Sequence, residues 1–288
     1  MLYLSLRSWT LIAVITAAFV PRAPGTAAAE PAISPTSEPI ILFNGKDLSP
    51  FYTWLVDTKY EDPRRVFSVT TDSDGTPVIR LSGDGYGGLV TKQRYSNYRL
   101  VVEIRWGELT WGQREKAARD SGILLHAHGD DGNHGMGRGQ SPWMSSIECQ
   151  IIEGGIGDLL VLSGIDNDGR KRTTSLTCEV AKNRDGESVW QKGSEVQIFT
   201  SGRINWYGRD PDWEDVIGFR GNQDVESPGQ EWTRIECICD GGNITNIVNG
   251  TVVNQGMMAE PNAGKLLLQT EGAEIFVRKI ELHPLMEK

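Results

Sequence analysis

The sequence predicts an all-β protein, a sandwich or jelly roll of two antiparallel sheets with long loops. Short runs of alternating apolar and polar residues recur along the chain, and a period of two is typical of half-buried strands. Glycine accounts for 33 of the 288 residues, and turn signals separate the runs. Beyond residue 29 the chain lacks a long run with helical period. Many short strands joined by turns indicate a sandwich or jelly roll.

Local patterns locate the individual strands. In the run 100–106, apolar residues occupy one face, while Glu103 and Arg105 occupy the other. Asn249 and Gly250 stand between two apolar runs and predict a hairpin. Further strands are predicted at 122–128, 146–152, 232–239, 243–248, 251–255, 265–269 and 273–282.

Two polar segments interrupt this pattern and are predicted as long loops. The first, residues 129–145, carries Arg138 and Trp143, and the second spans residues 181–230. Loops of such length are often functional or disordered. Their aromatic rings either stack against sugar faces or pin the loops to the sandwich, and both interpretations stay open. The tryptophans of the second segment and its end are Trp190, Trp206, Trp213 and Trp232.

The N-terminus predicts an exported protein, periplasmic or extracellular. Residues 1–29 combine Arg7, a short apolar run and small residues before Glu30, as a signal peptide does. The apolar run is shorter than the roughly 20 residues of a spanning helix, so we expect no stable membrane anchor. Residues 30–39 predict a disordered lead-in, and residues 40–288 the folded domain.

The net charge of the chain limits the classes of partner that we expect it to bind. The formal net charge is -9, without long acidic runs. A surplus of carboxylates disfavours binding to phosphate backbones, so nucleic acid is not an expected partner. A soluble enzyme or lectin with a carbohydrate partner is the favoured class.

The four cysteines do not have the spacing of a zinc site. Cys237 and Cys239 lie two apart in a predicted strand and would point to the same face. Buried thiols that fill core space are one interpretation. A bridge from Cys149 or Cys178 to that pair is the other, in an oxidising compartment.

The strand 146–152 carries the main candidate site. Glu148 and Gln150 share one face, and a bulge at the end of the strand would bring Glu153 beside them. Two carboxyl groups can divide acid and base roles if their surroundings separate their pKa values. We therefore predict Glu148 and Glu153 as a catalytic pair, with a purely structural role as the alternative.

Charged residues of the neighbouring strands complete this hypothesis. His126 is predicted as catalytic, and Glu103 and Arg105 as substrate-binding residues together with Gln150 and Trp143. Glu103 and Arg105 as a surface ion pair is the alternative. The sequence requires no cofactor, but a divalent metal held by histidine and carboxylate side chains is chemically possible.

Several motifs together resemble the 3-keto-disaccharide hydrolase family, in order from Ile41 to Leu285. The resemblance implies a concanavalin A-like jelly roll, export, and cleavage of glycosides that are oxidised at sugar C3. It also draws attention to Gln269 and Glu271 as substrate-binding residues. The motifs are Leu42-Phe-Asn-Gly-Lys-Asp-Leu48, Tyr98-Arg-Leu-Val-Val-Glu-Ile-Arg105, Asp120-Ser-Gly-Ile123, Ile147-Glu-Cys-Gln-Ile-Ile-Glu153, Asn249-Gly250, Leu267-Leu-Gln269 and Val277-Arg-Lys-Ile280.

The chain departs from the family pattern in two places. Asp120 stands where members usually have Asn, with His126 in place of a following Arg, and Glu271 stands where they tend to have His. If that family His is catalytic, its role here is lost or moved to Glu271.

Three function hypotheses follow from these observations. The first is cleavage of a 3-keto-glycoside by elimination and then hydration. The second is a retaining, laminarinase-like glycosidase, which needs its two carboxyl groups about 5 to 5.5 Å apart. The third is a sugar-binding module without catalysis.

Overall fold

Strands account for most of the regular structure, as the sequence predicts. The structure, a computed structural model, describes residues 30–286, and the predicted signal peptide lies outside the described residues. Within residues 30–286 there are twenty strands and one 3₁₀ turn, Gly112–Arg114. Numbered in chain order, the strands are β1 Ile40–Ile41, β2 Phe51–Leu55, β3 Phe67–Thr71, β4 Pro77–Leu81, β5 Tyr86–Thr91, β6 Tyr98–Thr110, β7 Asp120–His128, β8 Ser145–Ile152, β9 Leu159–Leu162, β10 Gly164–Ile165, β11 Lys171–Arg172, β12 Ser175–Lys182, β13 Ser188–Trp190, β14 Glu195–Phe199, β15 Gly202–Ile204, β16 Thr233–Asp240, β17 Asn243–Val248, β18 Thr251–Glu260, β19 Lys265–Glu271 and β20 Ala273–His283.

Two antiparallel sheets contain almost all of these strands. In the described chain, eleven strands form the first sheet, in the order β13-β12-β18-β17-β16-β6-β20-β4-β3, with β1 beside β20 and β14 beside β12. Seven strands form the second sheet, in the order β15-β9-β8-β7-β19-β5-β2. The predicted all-β jelly-roll sandwich of two antiparallel sheets is confirmed. The strands β6, β7 and β8, which we expected to be neighbours, are divided between the two sheets.

The main apolar core lies between the sheets and fixes which way each strand faces. Ile147, Cys149 and Ile151 of β8 are buried in this core. Because side chains alternate along a strand, Glu148 and Gln150 point to the opposite face of the second sheet. We call this face the outer face.

The segment predicted as a long loop, residues 181–230, is irregular only in part. It contains β13, β14 and β15, which have three to five residues each. The sequence of β14 alternates polar and apolar residues, but the strand is mostly exposed, and the five-residue pattern is too short to stand out within a polar segment. Trp190 and Trp206 are buried in the main core, which confirms the interpretation that these rings pin the segment.

Residues 30–39, predicted as a disordered lead-in, contact the domain in the structure. The Ile33 amide donates to the Arg94 carbonyl oxygen at 2.8 Å, and the Ser96 amide donates to the Ile33 carbonyl oxygen at 3.0 Å. Composition alone missed this contact because two backbone hydrogen bonds leave no pattern in the side chains.

The four cysteines are buried and free, which confirms the interpretation as core thiols. Burial raises the pKa of Cys178 and of Cys239 to about 12. Among residues 30–286, no helix has the length and the apolar character that crossing a membrane requires.

Candidate active site

Three carboxyl groups come together on the outer face, and we call Asp120, Glu148 and Glu271 the carboxyl cluster. Glu148 of β8 lies opposite Leu124 of β7, and Asp120 begins the same strand β7. In β19, Leu267 pairs with Leu124, so the continued register places Glu271 beside Asp120. Three adjacent strands therefore bring these carboxyl groups to one end of the outer face.

A glycine in β7, which has no side chain, leaves room for the side chains of the cluster. Gly122 of β7 lies opposite Gln150 and between Glu148 and Gln269. A Cβ atom at Gly122 would lie 2.2 Å from Oε1 of Glu148 and 2.5 Å from Oε1 of Gln269. Both side chains therefore lie over the glycine, and any larger residue there would displace them.

Asp120 is the most firmly held member of the cluster. Its Oδ1 accepts a hydrogen bond from Nε2 of Gln150 at 2.5 Å, and its Oδ2 forms an ion pair with Arg114. Arg114 lies in the 3₁₀ turn and also pairs with Asp215 at 3.0 Å. Its distance to Oε1 of Glu271 is 4.0 Å. Asp120 is therefore a fixed charge rather than a mobile side chain.

Burial disfavours the ionised form of the carboxyl groups in the cluster. Glu148 is only 3% exposed, and this burial, together with the nearby Asp120, raises its pKa to about 8. Burial also raises the pKa of Asp120 to about 6, although Arg114 opposes the shift. Burial and then the charges of Asp120 and Glu148 hold the pKa of Glu271 well above its usual value. The cluster thus contains carboxyl groups that exchange protons near neutral pH, which acid–base catalysis requires.

A second arginine balances part of this negative charge. Arg203 of β15 lies in register with Leu160, which lies opposite Glu148. Its charge lowers the pKa of Glu148, against the larger effect of burial. Arg203 also pairs with Asp158 at 3.1 Å, which fixes its position.

The middle of the outer face is apolar. Leu124, Leu162 and Leu267 belong to a second buried cluster, against which Trp143 packs. Trp143, predicted to bind substrate, thus lies on the same sheet face as Glu148 and covers apolar residues there. Gln269 and Glu271, the other predicted substrate-binding residues of this region, lie within the polar end.

Glu153 does not join Glu148, contrary to our prediction. Pairing of β7 with β8 is regular through Ile152, so the expected bulge is absent there. Both carboxylate oxygens of Glu153 are occupied: Oε1 by Nη1 of Arg119 at 2.6 Å, and Oε2 by the amides of Arg119 and Gly218 at 2.8 Å. Glu153 lines a separate cavity of about 250 Å³ with Trp106 and Glu226. The predicted Glu148–Glu153 pair is wrong.

Glu103 and Arg105 also lie away from the cluster, because β6 belongs to the first sheet. Glu103 accepts hydrogen bonds from Arg234 at 3.0 Å and from Arg278 at 2.6 Å. Arg105 pairs with Asp72 at 2.6 Å. The two residues have separate partners, so the structure supports neither a joint role at Glu148 nor a mutual ion pair.

His126 occupies a core position at the other end of β7. It lies in the register shift between Leu125 and His128, with a φ of 55°. Its ring packs edge-on against Tyr98, with 5.9 Å between the centroids. Both ring nitrogens are buried without a hydrogen-bond partner, and burial lowers its pKa to about 4. A catalytic role beside Glu148 is therefore wrong for His126.

The possible metal site predicted from histidine and carboxylate residues does not form. In the part of the chain that the structure describes, no group of three or more His, Cys, Asp and Glu side chains is arranged to hold a metal ion. His126 and Glu148, two of the proposed ligands, are near neighbours along the strand pair β7 and β8, but the His126 ring packs against Tyr98 in the main core, whereas Glu148 points to the outer face.

The sequence gives no indication that Arg114 and Arg203 lie beside the carboxyl cluster. Arg114 lies in a three-residue 3₁₀ turn, and Arg203 in a three-residue strand of the segment read as a loop. Neither segment has a periodic pattern, so no local signal connects either arginine with the carboxyl groups. Asp120 had a signal, since it stood out as a departure from the family pattern.

The sequence comparison identifies the family to which this two-sheet protein with its buried carboxyl cluster belongs. The model of the 3-keto-alpha-glucoside-1,2-lyase-like domain matches residues 38–283. The chain therefore belongs to this family, as its motifs indicated, and is a carbohydrate-active protein. No curated protein matches the chain.

Solved structures with similar folds are distant in sequence. A protein named as a glycosyl hydrolase of Parabacteroides distasonis has 15% identity and a TM-score of 0.46, covering 86% of this chain and 100% of its own. A carbohydrate-binding module of Bacillus subtilis has 7% identity and a TM-score of 0.38, covering 87% and 99%. A β-glucanase of Bacillus licheniformis has 9% identity and a TM-score of 0.35, covering 75% and 82%.

Proposed function

We propose that the protein cleaves 3-keto-glycosides at the carboxyl cluster, by elimination followed by hydration. The observation that carries this proposal is the convergence of three buried carboxyl groups whose pKa values lie near or above neutrality. Such groups can both take and give protons at neutral pH. The family match adds the type of substrate, since its domain is described as resembling a 3-keto-alpha-glucoside-1,2-lyase.

The chemistry follows from the ketone. A carbonyl at C3 acidifies the proton on C2, so a base can remove it and form an enolate. The electron pair then forms the C1–C2 double bond as the C1–oxygen bond breaks, and an acid protonates the leaving oxygen. Water adds across the double bond in the second half and gives the free keto-sugar. The protein must supply a base, an acid and positive charge beside the enolate.

The surroundings of each carboxyl group suggest its role. We assign the base to Glu148, because burial and Asp120 raise its pKa only to about 8, with Arg203 and a hydrogen bond from Gln269 opposing the shift, so an ionised fraction is present near neutral pH. We assign the acid to Glu271, because the charges of Asp120 and Glu148 favour its protonated form. Arg114 and Arg203 supply positive charge. Glu271 thus takes over a site at which the family tends to have a histidine.

The retaining glycosidase, with Glu148 and Glu153 as its carboxylate pair, is the weaker alternative. It requires a second carboxylate about 5 to 5.5 Å from the first. Glu153, five residues along the chain from Glu148, lies about 16 Å away in an extended strand and is bound to Arg119. Its carboxylate therefore offers no support for a double displacement.

Turnover of a 3-keto-disaccharide beside its unoxidised parent sugar tests the proposal. We expect consumption of the keto-sugar alone, with a transient unsaturated product that absorbs in the ultraviolet. Cleavage of the parent sugar would favour the retaining glycosidase, and turnover of neither would favour a binding module. Repeating the assay with a chelator tests whether a metal takes part.

A further inference from the structure

A second polar cavity lies at the far edge of the outer face. It has a volume of about 450 Å³, which falls within the range of small-molecule sites. Its walls come from the turn after β2 and from the loop that follows β7. The lining includes Trp54, Lys59, Tyr60, Asp130, Arg138 and Gln140.

An aromatic corner on one wall of this cavity is held in place. Tyr60 is 60% exposed, an unusually open position for a tyrosine ring. Its hydroxyl group donates to Oδ2 of Asp131 at 2.9 Å, while the Tyr52 hydroxyl group donates to Oδ1 at 2.6 Å. The Tyr60 ring packs edge-on against Trp54, with 5.2 Å between the centroids. The ring therefore presents a fixed, open face to the cavity.

The other walls carry polar groups that the protein itself does not use. Arg138 is exposed and, within residues 30–286, has neither an ion pair nor a hydrogen bond from its side chain. Oδ2 of Asp130 accepts from the Asn167 amide at 2.9 Å, and within the described part of the chain Oδ1 accepts no hydrogen bond. The Arg138 backbone has a φ of 41°, a left-handed conformation that is costly for a residue with a side chain. Planar groups with free donors and acceptors suit a ligand that has neighbouring hydroxyl groups.

The charges around the cavity cancel. Lys59 and Arg138 are cationic, while Asp130 and Asp131 are anionic. Nζ of Lys59 is also occupied, since it donates to the carbonyl oxygens of Val56 and Gly139. A balanced set of charges favours a neutral ligand over an acidic one.

We propose that this cavity is a second carbohydrate-binding site, which takes a neutral sugar stacked on Tyr60 and hydrogen-bonded to Asp130 and Arg138. Sugars present apolar C–H faces to aromatic rings and hydroxyl groups to planar polar side chains, and the cavity supplies both. The site goes beyond the proposed cleavage reaction, because it contains none of the carboxyl cluster.

The cavity and Glu148 lie on different strands of the second sheet. Trp54 on β2 lies opposite Gly88 on β5, which lies opposite Gln269 on β19. Four strand spacings, about 19 Å, separate β2 from β8, which carries Glu148, and two, about 10 Å, separate β2 from β19, which carries Glu271. A sugar bound at Tyr60 therefore holds a glycan near the active site without entering it.

Calorimetric titration with neutral tetrasaccharides tests the site. The probes are cellotetraose, laminaritetraose and maltotetraose, titrated into the full protein that carries Glu148→Gln, so that turnover cannot interfere. We expect saturable binding of at least one of them. Tyr60→Ala should weaken this binding about tenfold through loss of the stacking face, and Arg138→Ala should weaken it as well.

Two further variants separate stacking from folding. Tyr60→Phe keeps the ring and loses only the hydrogen bond to Asp131, so it should retain most of the affinity. Tyr207→Ala removes another exposed tyrosine, 44% exposed and not part of this cavity, and should leave the affinity unchanged. Unchanged binding by Tyr60→Ala, no saturable binding of the three sugars, or tighter binding of an acidic oligosaccharide would each overturn the proposal. Because the probes are unoxidised, failure of the keto-sugar assay leaves this result unaffected.

Discussion

Two glutamates five positions apart differ in what surrounds them, and this difference decides their roles. Glu148 is buried beside Asp120 with a raised pKa, whereas both oxygens of Glu153 are saturated by Arg119 and Gly218. A carboxyl group that is fully occupied by fixed donors cannot exchange a proton with a substrate. From their spacing in the sequence the two glutamates look equivalent, because the spacing contains no information on the residues that contact them.

Exchange of each glutamate for glutamine tests this distinction. We expect Glu148→Gln to lower kcat by about 10²- to 10⁴-fold while the protein stays folded, because a proton carrier is lost. Glu153→Gln should leave kcat within about threefold but lower the free energy of unfolding by about 3 kcal/mol, because Arg119 loses its charge partner. Steady-state kinetics and urea unfolding of both variants provide the measurement. A larger kinetic effect at Glu153 would contradict the assignment.

The pH dependence of turnover shows whether Glu148 acts as the base or as the acid. As a base, Glu148 must be ionised, and burial raises its pKa to about 8. We therefore expect kcat/KM to rise as the pH rises toward about 8, and the rising limb to disappear in Glu148→Gln. If Glu148 is instead the acid, kcat/KM falls as the pH passes 8.

At the scale of the strand, the sequence predicts which face of a strand a residue lies on better than it predicts which strands pair. The strands at 100–106 and 146–152 occur with the predicted faces, because burial on one side imposes alternation on the sequence. The sequence could not show that β6 and β8 lie in different sheets, since pairing depends on distant residues. For this reason Glu103 and Arg105 are predicted on the wrong surface, whereas Gln269 and Glu271 join Glu148 in the prediction only through the family resemblance.

A single glycine in β7 tests how the strand positions the site. Gly122→Ala should push Glu148 and Gln269 from their places and lower kcat/KM more than tenfold, because the added Cβ would lie within 2.5 Å of both side chains. Overpacking of this kind costs about 1 to 3 kcal/mol of stability. Gly88→Ala in β5 is the matched control, since the nearest atoms to its Cβ, at 2.3 Å, would belong to Leu267 and not to Glu148 or Gln269. Equal losses of kcat/KM in the two variants would argue against a special position for Gly122.

For the molecule as a whole, buried carboxyl groups link folding to pH. Burial raises the pKa of Glu148 and of Glu226 to about 8 and that of Asp120 to about 6. A carboxyl group with a raised pKa in the folded state stabilises the fold below its unfolded pKa, and this contribution is lost as the pH rises through the folded value. We expect the free energy of unfolding to fall by several kcal/mol between pH 5 and about 8. Urea unfolding at the two pH values measures it, and the double variant Glu148→Gln with Glu226→Gln should flatten the dependence.

The start of the folded chain bears on export, which we propose from the signal-like residues 1–29. Cleavage before Glu30 would leave Ile33 in place, where it exchanges hydrogen bonds with Arg94 and Ser96. We therefore expect mass spectrometry of the protein secreted by a bacterial host to give an N-terminus at Glu30. A chain that begins after Ser34 should be less stable by about 2 kcal/mol, because two backbone hydrogen bonds are lost. Recovery of the unprocessed chain from the cytoplasm would refute export, whereas equal stability of the two forms would show only that the Ile33 contact contributes little.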